Sequence, residues 1–79
     1  VVPATELDKA VDEMAAQLAS GPTKALGLSK RVVNRVANLE LAEALEYEAY
    51  HQEIAGKTHD HLEAVRAFLD KRKPEFLGE

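Results

Sequence analysis

The stretch from Thr58 to Gly78 constrains this chain most, because it carries a helix start, an apolar face and a helix stop in one short run. Asp60 followed by Glu63 has the spacing of a capping box, and Thr58 offers a second capping hydroxyl just before it. Leu62, Val65, Phe68 and Leu69 then recur at the period of one helix face. Lys71, Arg72 and Lys73 gather where the negative end of the helix dipole favours cations, and Pro74 cannot continue an α-helix. The spacing predicts a helix over about 60–72 that ends in a phosphate-sized positive cluster.

Three more helical periods precede it. Thr5 and Asp8 are spaced as a capping box, and Leu7, Ala10, Val11, Met14, Ala15 and Leu18 keep one face, so a first helix is expected over about 5–19. Ser20-Gly21-Pro22 ends that helix and opens a second over about 22–37, since proline is tolerated in a first turn. Its apolar arc is wide: Ala25, Leu28, Val32 and Val36 form one stripe, with Leu26, Val33 and Ala37 beside it. Asn38-Leu39-Glu40 connects to a third helix over about 41–55, stopped by Gly56. The expected fold class is all-α, with about four amphipathic helices in one unit, residues 1–79.

The third helix carries two apolar strips, Leu41, Ala44, Leu45 and Ala55 on one side and Tyr47, Tyr50 and Ile54 on another. A helix of that kind is usually a middle layer. Glu48 and Gln52 interrupt the first strip; burial would demand hydrogen-bond partners for both, so the wet edge of a groove is expected, with contact to a partner subunit or the lining of a site as the alternative. Lys24, Arg31 and Arg35 cluster on one side of the second helix, as a solvated face or a phosphate patch. Glu40, Glu43, Glu46, Glu48 and Glu53 crowd the third, so complementary packing of the two helices is expected.

A chain of 79 residues without cysteine has a thin core and no disulfide to reinforce it. Four amphipathic segments of this length carry more apolar surface than they can cover alone, so burial against a partner or a larger body is expected. The net charge of −4 argues against a nucleic-acid binder. No apolar run reaches membrane-spanning length and no signal-peptide pattern is present, so a soluble, intracellular chain is expected. His51, His59 and His61 lack the spacing of a metal site and are read as surface or capping residues; no metal, and no acid pair with a nucleophile, is expected.

The last third, D-x-x-E followed by A-x-x-A-F-x-x-K-R-x-P-x-F-x-G, resembles the closing motif of the enoyl-CoA hydratase/isomerase (crotonase) superfamily, with Ala64 where the family usually has glycine. The resemblance extends upstream through Gly21, Pro22, Ala25 and Lys30, through Glu48 and Gln52, and to Val1-Val2-Pro3, which matches the segment leading out of the catalytic core. It implies the C-terminal helical region of a crotonase-like fold without its ββα core. The oxyanion-hole and acid-bearing segments of the core are not in this sequence, so no catalytic residue is expected here.

The resemblance further implies a parent enzyme, most simply a hydratase of 2-enoyl-CoA in fatty-acid metabolism, in the cytoplasm or, in a eukaryote, the mitochondrial matrix. It implies a homo-oligomer, a trimer or dimer of trimers, with acyl-CoA as substrate and no separate cofactor. Phe68 and Lys71 match residues that meet coenzyme A across a subunit boundary, the ammonium pairing with a phosphate and the aromatic packing beside it. For Phe68, plain core burial is the competing expectation. A free-standing interaction module and a small acyl-CoA-binding bundle are the alternative readings of the whole chain.

Overall fold

A 3-10 turn at Ala4–Glu6 leads into four helices: α1 (Leu7–Ala19), α2 (Thr23–Val36), α3 (Leu41–Gly56) and α4 (His59–Leu69). The computed structural model describes all 79 residues, and it contains no strand. The all-α expectation therefore holds, and the differences lie at the helix ends, where local chemistry had more than one solution.

Thr5 does not cap α1. The chain enters through the 3-10 turn, in which the Glu6 N–H donates to Pro3 O at 2.9 Å, and the N-cap position falls on Glu6 without a side-chain cap. α2 begins at Thr23, because Pro22, at ψ 80°, is not yet helical; its carbonyl accepts the Leu26 N–H at 3.0 Å. Gly56 does not stop α3. It is the last helical residue, and the turn is made by Thr58, whose extended backbone (ψ 154°) breaks the helix. The Thr58 hydroxyl donates to Ala55 O at 2.7 Å and accepts the His61 N–H at 3.1 Å, so one side chain closes α3 and caps α4.

α4 ends earlier than Pro74 requires. Lys71 adopts φ 54°, and two bonds close the turn around it: Arg72 N–H to Ala67 O at 3.0 Å and Lys71 N–H to Phe68 O at 3.2 Å. This is the paired 6→1 and 5→2 geometry that ordinarily takes glycine at its left-handed position. Pro74 instead belongs to the extended tail that follows.

The packing is open. α2 packs most closely on α3, while α1 rests on α2 and α4 on α3, so α3 is a middle layer. The result is a slab of 44 × 38 × 18 Å with a radius of gyration of 15.8 Å, against about 12 Å for a compact chain of this length. Its accessible surface of 6659 Å² exceeds the roughly 4,700 Å² that the size relation gives for a folded monomer of this mass. Only Ala67, His51, Thr58 and Asp60 are buried: Thr58, Asp60 and Ala67 lie where α3, α4 and the tail meet, and His51 lies on the side of α3 that faces α2. The large apolar residues of α1, Leu7, Val11, Met14 and Leu18, remain 52–64% exposed along one stripe. The surplus of apolar surface expected from the sequence is present.

Candidate functional site

The last turn of α4 carries both expected ligand residues. Phe68 is not core: it is 83% exposed. Lys71 lies in the left-handed turn that its own N–H closes onto the Phe68 carbonyl, so the two residues are neighbours by construction. The Lys71 ammonium makes no ion pair or side-chain hydrogen bond. Arg72, between the two lysines, is committed inside the chain. Its guanidinium donates to both carboxylate oxygens of Glu63, at 2.6 and 3.0 Å, and its Nε lies 3.6 Å from Asp70 Oδ2. The positive cluster is therefore two free ammonium groups flanking a neutralised guanidinium.

Of the two expected caps for α4 the Thr58 hydroxyl is the one used, and Asp60 and Glu63 form no capping box. Both acids instead hold the tail. Asp60 accepts the Leu77 and Gly78 N–H groups at 2.8 Å each, and its own N–H donates to Glu79 O at 2.8 Å. Burial pushes the Asp60 carboxyl up, but those two N–H groups and the His59 ring outweigh it and hold the carboxyl below its ordinary value. The Arg72 guanidinium, followed by the Glu75 N–H donating at 3.0 Å, holds Glu63 down to about 2. Glu63 in turn raises Arg72 above its ordinary range.

Between the two clamped ends, Phe76 lines a cleft with Pro22, Ala25, Ala55 and Ala64. Gly78, at φ 82°, passes so close to α2 that a Cβ there would stand 2.6 Å from Thr23 Oγ1. The D-x-x-E and K-R-x-P-x-F-x-G halves of the closing motif are thus one hydrogen-bonded unit that ties the starts of α2 and α4 together. The spacing from Asp60 to Leu77 and Gly78 lies outside any local pattern, so the sequence carries no sign that this acid holds the tail.

Glu48 and Gln52 lie, as expected, at the exposed edge of a groove between α2 and α3, beside Leu28, Val32 and His51. His51 departs from expectation. It is buried, and its Nδ1 donates to Tyr47 O at 2.8 Å, with the two rings 4.2 Å apart. Of the α2 cations, Arg31 and Arg35 share a shallow groove with Lys30, Asn34 and Tyr47, whereas Lys24 does not line it. The expected pairing with α3 is absent: Arg35 comes beside Glu43 and Glu46 without an ion pair, and the α3 acid that is paired, Glu53, takes Lys57 one turn on. The side of α3 turned to α2 carries His51, Gln52 and Ala55 alongside Glu48. No group of three His, Asp or Glu side chains stands where it could hold a metal ion, and no helix is long and apolar enough to cross a membrane.

No protein-family model matches the sequence. It is 38% identical over 78 residues to the 1,2-epoxyphenylacetyl-CoA isomerase of Escherichia coli K12, covering 99% of this chain and 30% of that protein. It is 36% identical over 78 residues to the enoyl-CoA isomerase/hydratase fer4 of Mycosarcoma maydis, covering 99% of this chain and 28% of that one. The fold superposes on an enoyl-CoA hydratase from Geobacillus kaustophilus HTA426 with a TM-score of 0.95 at 30% identity, over 100% of this chain and 30% of that structure. An enoyl-CoA hydratase from Bacillus anthracis gives 0.90 at 33% identity, over 100% and 31%. The chain spans about 30% of the length of these relatives. Matched from end to end, and to the C-terminal part of its structural neighbours, the chain belongs to the enoyl-CoA hydratase/isomerase (crotonase) superfamily and corresponds to its C-terminal helical region.

Proposed function

We propose that this chain serves an enoyl-CoA hydratase/isomerase as its oligomerisation and ligand-covering region. Its uncovered helix faces pack against a catalytic body and sister subunits in a trimer or dimer of trimers, and the end of α4 meets coenzyme A across a subunit boundary. Phe68 supplies apolar contact to the ligand and Lys71 pairs with a phosphate. The body supplies the chemistry, most simply the addition of water across a 2-enoyl-CoA double bond, a lyase step of fatty-acid metabolism in the cytoplasm or the mitochondrial matrix.

The observation that supports this reading is the exposure of Phe68 beside an unpaired Lys71, on a slab whose α1 stripe is also uncovered. A free aromatic this exposed contributes little to the fold that carries it, and most of its apolar area becomes favourable only against a ligand or a partner. Calorimetric titration of the isolated chain with an acyl-CoA tests the reading, because most ligand contacts belong to the body. No saturable binding is expected. Saturable micromolar binding would make the chain an acyl-CoA-binding bundle in its own right and overturn the assignment. In the polypeptide that carries this region, Lys71→Ala is expected to raise KM for the CoA ester, and an unchanged KM removes Lys71 from the site.

A further inference from the structure

We propose that Glu63 and Arg72 are positioning residues for Lys71, holding its backbone in the left-handed region so that the ammonium projects toward the phosphate of the CoA ester. The inference rests on the reading above and names how that contact is set.

Lys71 is the one non-glycine residue with positive φ in the chain. A left-handed lysine is unfavourable in isolation, and glycine is the ordinary residue at this place in a helix-ending turn. Such a conformation persists only where neighbouring contacts over-determine it. Here they do. On the C-terminal side, Arg72 is tied by its N–H to Ala67 O at 3.0 Å and by its guanidinium to both Glu63 oxygens. Asp70, the residue before Lys71, meets the same guanidinium at 3.6 Å. Glu63 is itself fixed by the Glu75 N–H at 3.0 Å, so the tail backs the ion pair. The residues on both sides of Lys71 are thus clamped to one guanidinium, while the Lys71 side chain alone is left free. The backbone that carries the ammonium is thereby fixed by the fold before an anionic ligand arrives, and only the lysine side chain is left to order on binding.

The geometry predicts an effect on ligand binding that travels only through Lys71. In the assembled enzyme that carries this region, Glu63→Gln should raise KM for an acyl-CoA about three- to tenfold at unchanged kcat, the scale of one weakened charge-assisted contact. The same acyl group on N-acetylcysteamine, which lacks the phosphates, should be turned over as by the unmodified enzyme. Arg72→Lys keeps the charge but not the two-pronged geometry, and should move KM the same way if Glu63→Gln does not fold. In a Lys71→Ala background Glu63→Gln should add nothing. A KM increase that persists in that background, or that is equal for both thioesters, overturns the positioning role. If Lys71→Ala raises KM while neither Glu63→Gln nor Arg72→Lys does, the positioning role alone falls. If Lys71→Ala has no effect, the proposed ligand contact falls with it.

Discussion

Asp60 and Gly78 stand eighteen positions apart and share a 2.8 Å hydrogen bond, the Gly78 N–H donating to Asp60 Oδ2. The Leu77 N–H takes the other carboxylate oxygen, and the Asp60 N–H closes the ring onto Glu79 O. An acid in the first turn of a helix normally serves that helix, but here the Thr58 hydroxyl already accepts the His61 N–H, which leaves both Asp60 oxygens to the tail. The tail then runs back to Thr23, so it links the first turns of α2 and α4.

Gly78 is the position at which that link is most sensitive. At φ 82° any L-residue is strained, and a Cβ would meet Thr23 Oγ1 at 2.6 Å. Gly78→Ala is expected to destabilise the fold by about 1–3 kcal/mol, measured by thermal or urea unfolding. Pairing it with Thr23→Ala should return the part due to the clash and leave the part due to the backbone. A Gly78→Ala chain as stable as the parent would mean that the tail does not dock in solution.

The clamp also titrates. The folded-state values of Asp60 and Glu63 both lie below their ordinary ones, so the stability they confer is complete above the unfolded values and is lost as pH falls through the folded ones. For Glu63 the window runs from its ordinary 4.5 down to about 2; for Asp60 it opens below 3.8. In side-chain carboxyl NMR, the Glu63 signal should titrate with a midpoint near 2, and the Leu77 and Gly78 amide signals should move together with the Asp60 carboxyl. A Glu63 carboxyl midpoint near 4.5 would show Glu63 free of both Arg72 and the tail.

The four helices were legible because their apolar residues repeat at 3- and 4-residue intervals, a local signal. What the sequence did not disclose was non-local or degenerate. Asp60 and Glu63 carry the spacing of a capping box, and nothing local distinguishes an acid that accepts its own helix N–H from one that accepts Leu77 and Gly78. Gly56 looked like a helix stop, yet Thr58 makes that turn, while the residue that does turn left-handed is Lys71, where lysine is the unexpected choice. His51 is buried because α3 turns it toward α2, a choice of face that two competing apolar strips left undecided. Phe68 shared the period of the apolar face and so allowed core burial; its exposure follows from α4 having only α3 to pack on.

Thr58 joins α3 to α4 through one hydroxyl that donates to Ala55 O and accepts from His61 N–H. Thr58→Ala removes both bonds at a buried position and is expected to cost about 1–2 kcal/mol, with faster hydrogen exchange at the His61 amide. Thr58→Ser retains the hydroxyl and should recover most of the loss. Equal destabilisation by both substitutions would assign the effect to the lost methyl group rather than to the cap.

Lys71 gives a substitution whose effects on stability and on function have opposite signs. Glycine relieves the left-handed backbone, so Lys71→Gly is expected to stabilise the fold by about 0.5–1 kcal/mol after the entropy of the more flexible unfolded chain is counted. Chemical unfolding of the variant reads this directly. A loss of stability would show that the lysine side chain contributes to the fold and is not held free.

The α1 stripe separates a surface from a core. Leu7, Val11, Met14 and Leu18 stay more than half exposed, so each gains little from the fold of this chain alone. Val11→Glu with Met14→Lys is therefore expected to change the unfolding free energy of the isolated chain by no more than about 1 kcal/mol in total, the range of ordinary surface substitutions. Covering the same two side chains in an assembly would be worth about 1–2 kcal/mol each, and the charges would have to be desolvated as well. Sedimentation of the isolated variant should show less self-association and less binding of a hydrophobic dye than the parent, and the assembled polypeptide should lose its oligomer. If the pair instead unfolds the isolated chain, the stripe is an internal core and the slab closes on itself in solution. If chain and oligomer are both indifferent, the stripe is solvent-facing in the assembly, and the contacts between subunits must be carried by α3 and α4.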